Sequence, residues 1–195
     1  MNKVVIGYDK VKKVEVGKGF PLAFFGGPCA IETKDHAFYM ADAIGKICEK
    51  LDVPWVYKSS YDKDCRSAPD SFHGKGIEEG LRILADVRNE FDVPVVSDFS
   101  DVSWGKATGE ICDMVQVPAY LCRQTSILRA AALTGRVVHL KKGQYMSPWN
   151  MKNSVRKLET NGCNKIILTD RGTFLGYGML VNDMTSFPIM QKTGY

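Results

Sequence analysis

The chain has 195 residues, 45% of them hydrophobic and 25% charged, a balance that suits a globular fold with one sizeable core. Its formal charge of +4 comes from basic residues spread along the chain rather than gathered in a run, so nothing points to nucleic acid or to a membrane surface as partner. No stretch approaches the roughly 18 apolar residues of a membrane span. Residues 1–20 lack the apolar core and small-residue cleavage site of an export signal. Six cysteines (Cys29, Cys48, Cys65, Cys112, Cys122 and Cys163) form no CxxC pair and read as reduced thiols of a cytoplasmic protein.

In chain order, residues 3–16 hold two apolar-rich runs around Asp9 and Lys10, which predicts a hairpin. A regular rhythm follows. Residues 22–27 form a short apolar run closed by glycines, 35–51 have helical spacing, and 53–58 predict a strand. After a polar loop come a helix over 76–91, a strand over 93–99, a helix around 103–111 and a strand over 113–120. Residues 125–135 predict a helix closed by Gly135, then a strand over 136–142, a helix over 148–162 ending at Asn161 and Gly162, and a strand over 164–171. The tail holds a possible helix. Short apolar strands alternating with amphipathic helices define parallel βα units, six of them. Six units fit an open doubly wound sheet or part of a closed (β/α)8 barrel. No GxGxxG follows the first strand and no phosphate-loop pattern occurs, so nucleotide-binding open sheets lose support and no nucleotide cofactor is expected.

The chemistry gathers at the strand ends. The second strand ends in Lys58, with Lys63 and Arg66 in the loop beyond it. The third ends in Asp98, the fourth carries Gln116, the fifth ends in Lys141 and Lys142, and the sixth in Asp170 and Arg171. In a parallel barrel these ends open on one face, where active sites form. Converging Lys and Arg side chains are costly unless an anion meets them, and phosphate or carboxylate is the natural partner. The plainer reading of any one such residue is a charge leaving the core; recurrence in successive units argues against it for the set. Cys29, after Gly26-Gly27-Pro28, reads on its own as a small buried hydrophobe. No histidine has ligand spacing to it, so the residues alone do not show a metal site. Glu32, Glu78 and Glu79 read as solvated helix residues, and Phe24, Phe25 and Trp55 as core.

Several strings together carry a family resemblance: FFGGPCAIE (24–32), YKSSYDKDCRSAPDSFHGKGIEEGL (57–81), QVPAYLCRQT (116–125), KKGQYMSPWNM (141–151) and DRGTFLGY (170–177). The sequence resembles the 3-deoxy-D-manno-octulosonate 8-phosphate synthases over nearly its whole length. That resemblance implies a TIM barrel of the phosphoenolpyruvate–aldose synthase type, with residues 1–195 as one partial barrel domain and 1–17 as a hairpin capping it. It implies condensation of phosphoenolpyruvate with arabinose 5-phosphate and release of inorganic phosphate, for lipopolysaccharide synthesis. Lys58, Lys63, Gln116, Lys141 and Arg171 would surround phosphoenolpyruvate, and Arg66 and Ser67 would hold the aldose phosphate. Asp98 would lie near the reacting centre and share the catalytic work with Lys63 and Lys141. Cys29 would ligate a divalent metal, the mark of the metal-dependent branch, and the assembly would be a homotetramer.

The sequence departs from the family pattern mainly on the aldose side. Cys65 stands where the family has Asn, Ala68 replaces its second Ser, Asp98-Phe99-Ser100-Asp101 lacks the family His, and Leu175 replaces a Phe. These changes leave room for another phosphorylated aldose. A full barrel usually needs roughly 250 residues. The expectation is therefore that this is part of a longer chain, whose remaining metal ligands follow Tyr195. The alternatives are completion by another chain, or a non-catalytic protein that keeps the anion site.

Overall fold

A computed structural model describes residues 3–195, so the first two positions of the expected 1–17 segment lie outside the described residues. Strands β1 (Val4–Ile6) and β2 (Val14–Val16) form the expected antiparallel hairpin, with Val4 opposite Val16. Six parallel strands then follow in strict sequence order: β3 (Phe24–Gly26), β4 (Trp55–Lys58), β5 (Val95–Asp98), β6 (Met114–Val117), β7 (Val137–Lys142) and β8 (Ile166–Asp170). Between them run α1 (Lys34–Lys50), α2 (Gly76–Glu90), α3 (Gly105–Ile111), α4 (Thr125–Leu133) and α5 (Met151–Glu159).

Sequential order excludes the doubly wound alternative. Right-handed crossovers that never reverse direction put every helix on one face of the sheet, and the other face must close on itself. Phe25 of β3 and His139 of β7 measure how far it does so. Four strand spacings would separate them by roughly 19 Å in a flat sheet, yet their rings meet edge to face at 5.7 Å. The structure is thus a curled α/β half-barrel.

Period-two alternation sorts the strand residues between two cores. Trp55, Tyr57, Val95, Val115 and Leu140 face outward and pack under the helices, against residues such as Leu84, Leu128 and Leu158. Val56, Val96, Met114 and Val137 face inward, where Val4, Ile6 and Val14 of the hairpin pack against them. The hairpin thus fills the interior end opposite the C-terminal strand ends.

Element boundaries follow local chemistry. Thr33 caps α1, its hydroxyl accepting from the His36 amide at 3.1 Å. The strand expected over 113–120 ends at Val117, because Pro118 has no N–H to give the ladder and a 3-10 turn (Ala119–Leu121) follows. The helices expected over 103–111 and 148–162 begin as 3-10 turns at Val102–Trp104 and Pro148–Asn150. The tail holds the foreseen helix, α6 (Ser186–Gln191), but also an unforeseen antiparallel hairpin, β9 (Thr173–Leu175) with β10 (Met179–Val181). Its turn contains Gly176 at φ 64, a left-handed conformation glycine adopts without strain. Phe24 is not core: at 47% exposure on an edge strand it has no outer neighbour to cover it.

A buried ion pair locks the hairpin to the barrel. Asp113, with no exposed side-chain surface, accepts from Arg88 Nε at 2.9 Å and Nη2 at 3.1 Å, and from the amides of Tyr8 and Val95, both at 2.9 Å. The Tyr8 ring lies between the guanidiniums of Arg88 and Arg136, 4.2 and 3.4 Å away. Removing one partner of such a pair strands the other charge. Asp113→Ala is therefore expected to cost about 3–5 kcal/mol of unfolding free energy. Lys46→Ala, which breaks an exposed pair with Asp42, is expected to cost less than about 1 kcal/mol. Urea unfolding measures both, and equal small losses would contradict the lock.

Candidate active site

The alternation that builds the inner core also aims the charges. Register pairs Lys58 with Val96, Asp98 with Gln116, Gln116 with His139, and Lys141 with Thr169, so all share the interior face. The lowest inward-facing positions are apolar, and the last inward-facing residue of each of β4 to β8 is polar. The result is a cleft of about 640 Å³ at the C-terminal strand ends, within the size range of small-ligand sites. Every residue that the family resemblance points to lines it: Cys29, Lys58, Lys63, Arg66, Ser67, Asp98, Gln116, Lys141 and Arg171. Lys142 and Asp170, their neighbours in sequence, point the other way. They form a buried ion pair at 3.1 Å beneath the helices, and Lys142 also donates to Gly172 O at 2.9 Å. That clamp ties the loop after β7 to the start of the second hairpin, and so sets Gln144 and Arg171 on the cleft rim.

Two glycines shape the rim. A Cβ on Gly27 would come within 2.3 Å of Lys58 O, so only glycine lets residues 27–29 cross the top of β4. A Cβ on Gly74, at φ 127, would lie 2.3 Å from Tyr61 O. There the loop after β4 folds back, with Lys63 N donating to His73 O at 2.7 Å, and presents Lys63, Arg66 and Ser67.

Among the described residues, Asp98 is the only acid that lines the cleft. The Ser60 hydroxyl makes a short hydrogen bond to it, Lys63 Nζ donates to Ser60 Oγ at 2.6 Å, and Lys63 stands 3.5 Å from Asp98 Oδ2. Burial alone would raise the Asp98 carboxyl, but the ammoniums of Lys63 and Lys58 outweigh it and hold it below the ordinary carboxylate range. The lysines pay the converse penalty. Burial, partly offset by Asp98 and reinforced by Lys63, lowers Lys58; burial and Lys58 push Lys141 down to about 8. One carboxylate does not balance this many cations, and a bound anion would relieve them all.

Cys29 corrects one reading of the sequence: it is exposed on the rim rather than buried, its sulfur 3.9 Å from Arg66 Nη2. Among the described residues, no group of three or more His, Cys, Asp or Glu side chains comes together. A metal centre needs three or four ligands, so these residues do not build one by themselves. Sequence reasoning missed Tyr120 and Gln144, which also line the cleft. Tyr120 lies just past Pro118, where the strand was read as continuing, and Gln144 carries no charge to mark it.

Fold and site define an α/β half-barrel with a cationic cleft at its C-terminal strand ends. Residues 3–195 match the DAHP synthetase I family, and the chain belongs to that family. It is 48% identical over 192 residues to the 2-dehydro-3-deoxyphosphooctonate aldolase of Rickettsia rickettsii (strain Sheila Smith), an alignment covering 98% of this chain and 69% of that one. The enzyme of the same name from Protochlamydia amoebophila is 47% identical over 185 residues, covering 95% and 67% of the two chains. That from Synechococcus sp. (strain ATCC 27144) is 47% identical over 182 residues, covering 93% and 64%.

The Lys141 ammonium keeps its proton below about pH 8 and loses it above. Binding of sulfate, whose own charge is constant, is therefore expected to weaken as pH rises through and beyond about 8, a bound anion delaying the fall. Lys141→Arg, which does not titrate there, is expected to flatten the profile. Calorimetric titration across pH reads both, and identical profiles for the two proteins would contradict the assignment.

Proposed function

We infer that this protein condenses phosphoenolpyruvate with arabinose 5-phosphate to give 3-deoxy-D-manno-octulosonate 8-phosphate and inorganic phosphate, a step of lipopolysaccharide synthesis. The carrying observation is the single cleft in which Lys58, Lys63, Lys141 and Arg171 meet only one carboxylate. The named relatives, at 48% and 47% identity, support the same reaction. The six βα units belong to a (β/α)8 barrel of the phosphoenolpyruvate–aldose synthase type.

In this reading Lys58, Lys63, Gln116, Lys141 and Arg171 hold the carboxylate and phosphate of phosphoenolpyruvate. Arg66 and Ser67, on the exposed loop, hold the aldose phosphate and bring the aldehyde over the enol, a gain of orientation. The C2–C3 π electrons form the new bond from C3 to the aldehyde carbon, whose oxygen takes up a proton. Water adds at C2 and loses one proton; the bond from C2 to the phosphate oxygen then breaks, phosphate leaves with its electron pair and takes the proton of the new C2 hydroxyl, and C2 becomes the carbonyl carbon of the product. Lys141, its proton already loosened by burial and Lys58, is the proton donor of the ring. Asp98 holds Lys63 in place through Ser60 and keeps its charge beside the reacting carbons.

A second reading keeps the donor and changes the acceptor. Cys65 and Ala68 line the cleft beside Arg66, offering an aldose less hydrogen bonding than an amide and a hydroxyl would. We also propose that Cys29, an exposed thiol on the rim, is one ligand of a divalent metal whose other ligands come from outside these residues. The steps above do not depend on it, and cobalt(II) titration showing no thiolate absorption would count against it. Exposed Phe174, Leu175, Tyr177 and Met179 on the second hairpin support association into a homotetramer, which sedimentation tests. The six free cysteines support a cytoplasmic setting, and no helix among the described residues is long and apolar enough to cross a membrane.

Phosphate release from phosphoenolpyruvate is expected with arabinose 5-phosphate and not without an aldose. Lys63→Ala is expected to lower kcat/KM roughly 10- to 100-fold, the scale of one charge-assisted hydrogen bond. Faster release with another phosphorylated aldose would favour the second reading. Absence of release with every aldose, in protein that binds phosphoenolpyruvate, would favour a binding role.

A further inference from the structure

The floor of the cleft carries two polar atoms that the reaction above does not use. Gln116 and His139 are cross-strand neighbours on the interior face, roughly 4.8 Å apart along the sheet. They are 1% and 4% exposed, and Gln116 Oε1 and His139 Nδ1 are both buried with no hydrogen-bond partner among the described residues. Buried polar atoms in that condition are costly and rare. The imidazole is not loose: Nε2 is hydrogen-bonded to Thr169 Oγ1 on β8, and the Phe25 ring packs edge to face against it. Beneath it lies an apolar cluster that includes Val96, Met114 and Val137. Above it stand the charged groups that face it, Lys141, Lys58 and Asp98. His139 is therefore the boundary between the dry interior and the cationic cleft.

Burial foremost, then Lys141 and Lys58, hold the His139 imidazole down to about 3, so it is neutral and one ring nitrogen accepts while the other donates. If Nε2 donates to Thr169, Nδ1 needs a donor; if Nε2 accepts, Nδ1 needs an acceptor; and in either case Gln116 Oε1 beside it needs a donor. Water meets all of these requirements, and the seat joins the cleft through Gln116.

We propose that His139 is a positioning residue: it shares one buried water with Gln116 at the floor of the cleft, and this bridge fixes the amide that faces phosphoenolpyruvate. The inference rests on the reading of the cleft as a phosphoenolpyruvate site. His139→Leu removes the bridge and is expected to raise KM for phosphoenolpyruvate about tenfold, the scale of one neutral hydrogen bond, with kcat little changed. His139→Asn, which returns a polar atom on the same side, is expected to recover most of that loss. The chain has three histidines, so 15N-histidine labelling isolates the native ring even if the Leu variant fails to fold. Addition of phosphoenolpyruvate is expected to shift the His139 Nδ1 resonance. Phosphoenolpyruvate binding with that resonance unmoved, or a folded Leu variant with native KM, would overturn the role of His139 alone. Failure of the native protein to bind phosphoenolpyruvate would overturn the cleft assignment and this inference with it.

Discussion

Five cationic side chains, those of Lys58, Lys63, Arg66, Lys141 and Arg171, share one barrel mouth with, among the described residues, a single carboxylate, Asp98. That imbalance is the constraint around which the rest of the molecule is organised. Burial first, and then the like charges held together there, disfavour the charged forms, which is why Lys58 and Lys141 hold their protons weakly. The arrangement persists because the surrounding framework is rigid enough to keep it. Its natural complement is a small, highly charged anion, and phosphoenolpyruvate carries two anionic groups on three carbons.

The framework supplies that rigidity through interactions away from the cleft. At the lower end, Val4, Ile6 and Val14 of the first hairpin fill the curled sheet, and the Arg88–Asp113 pair with Tyr8 ties the hairpin down. At the upper end, Lys142 and Asp170 sit behind the sheet and anchor the loops that carry Gln144 and Arg171. Both pairs are almost wholly removed from water. Asp113 also accepts from two backbone amides and Arg88 donates to Tyr8 O, while Lys142 donates to Gly172 O, further bonds that help a buried pair to be tolerated. The site is thus built from side chains on strand ends, with the exposed loop bearing Cys65, Arg66 and Ser67 completing its rim.

Much of this was legible in the sequence, because period-two strands separated by amphipathic helices announce parallel βα units and place the final strand residues on one rim. Lys58, Asp98, Gln116 and Lys141 could be assigned to that rim from position alone. What stayed hidden depended on facing and on close approach. Nothing in the pair Lys141-Lys142 says which lysine enters the cleft until the register fixes it. Phe24 looked like core because its hydrophobicity does not reveal that β3 is an edge. Cys29 looked buried because the tight passage of Gly27 over Lys58 O, which brings it to the rim, is a three-dimensional contact. The second hairpin was masked by the short spacing of its strands around Gly176, and the seat between Gln116 and His139 by residues whose neighbours lie on different strands.

The central claim is that the strand-end cations form a seat for phosphoenolpyruvate. The most direct measurement is an experimental structure of the protein with phosphoenolpyruvate bound. The account predicts the enol phosphate and carboxylate inside the ring of Lys58, Lys63, Gln116, Lys141 and Arg171, with C3 facing Arg66 and Ser67. Phosphoenolpyruvate bound anywhere else, such as the groove between α3 and α4 lined by Lys106, Arg129 and Arg136, with the barrel mouth unchanged, would contradict it.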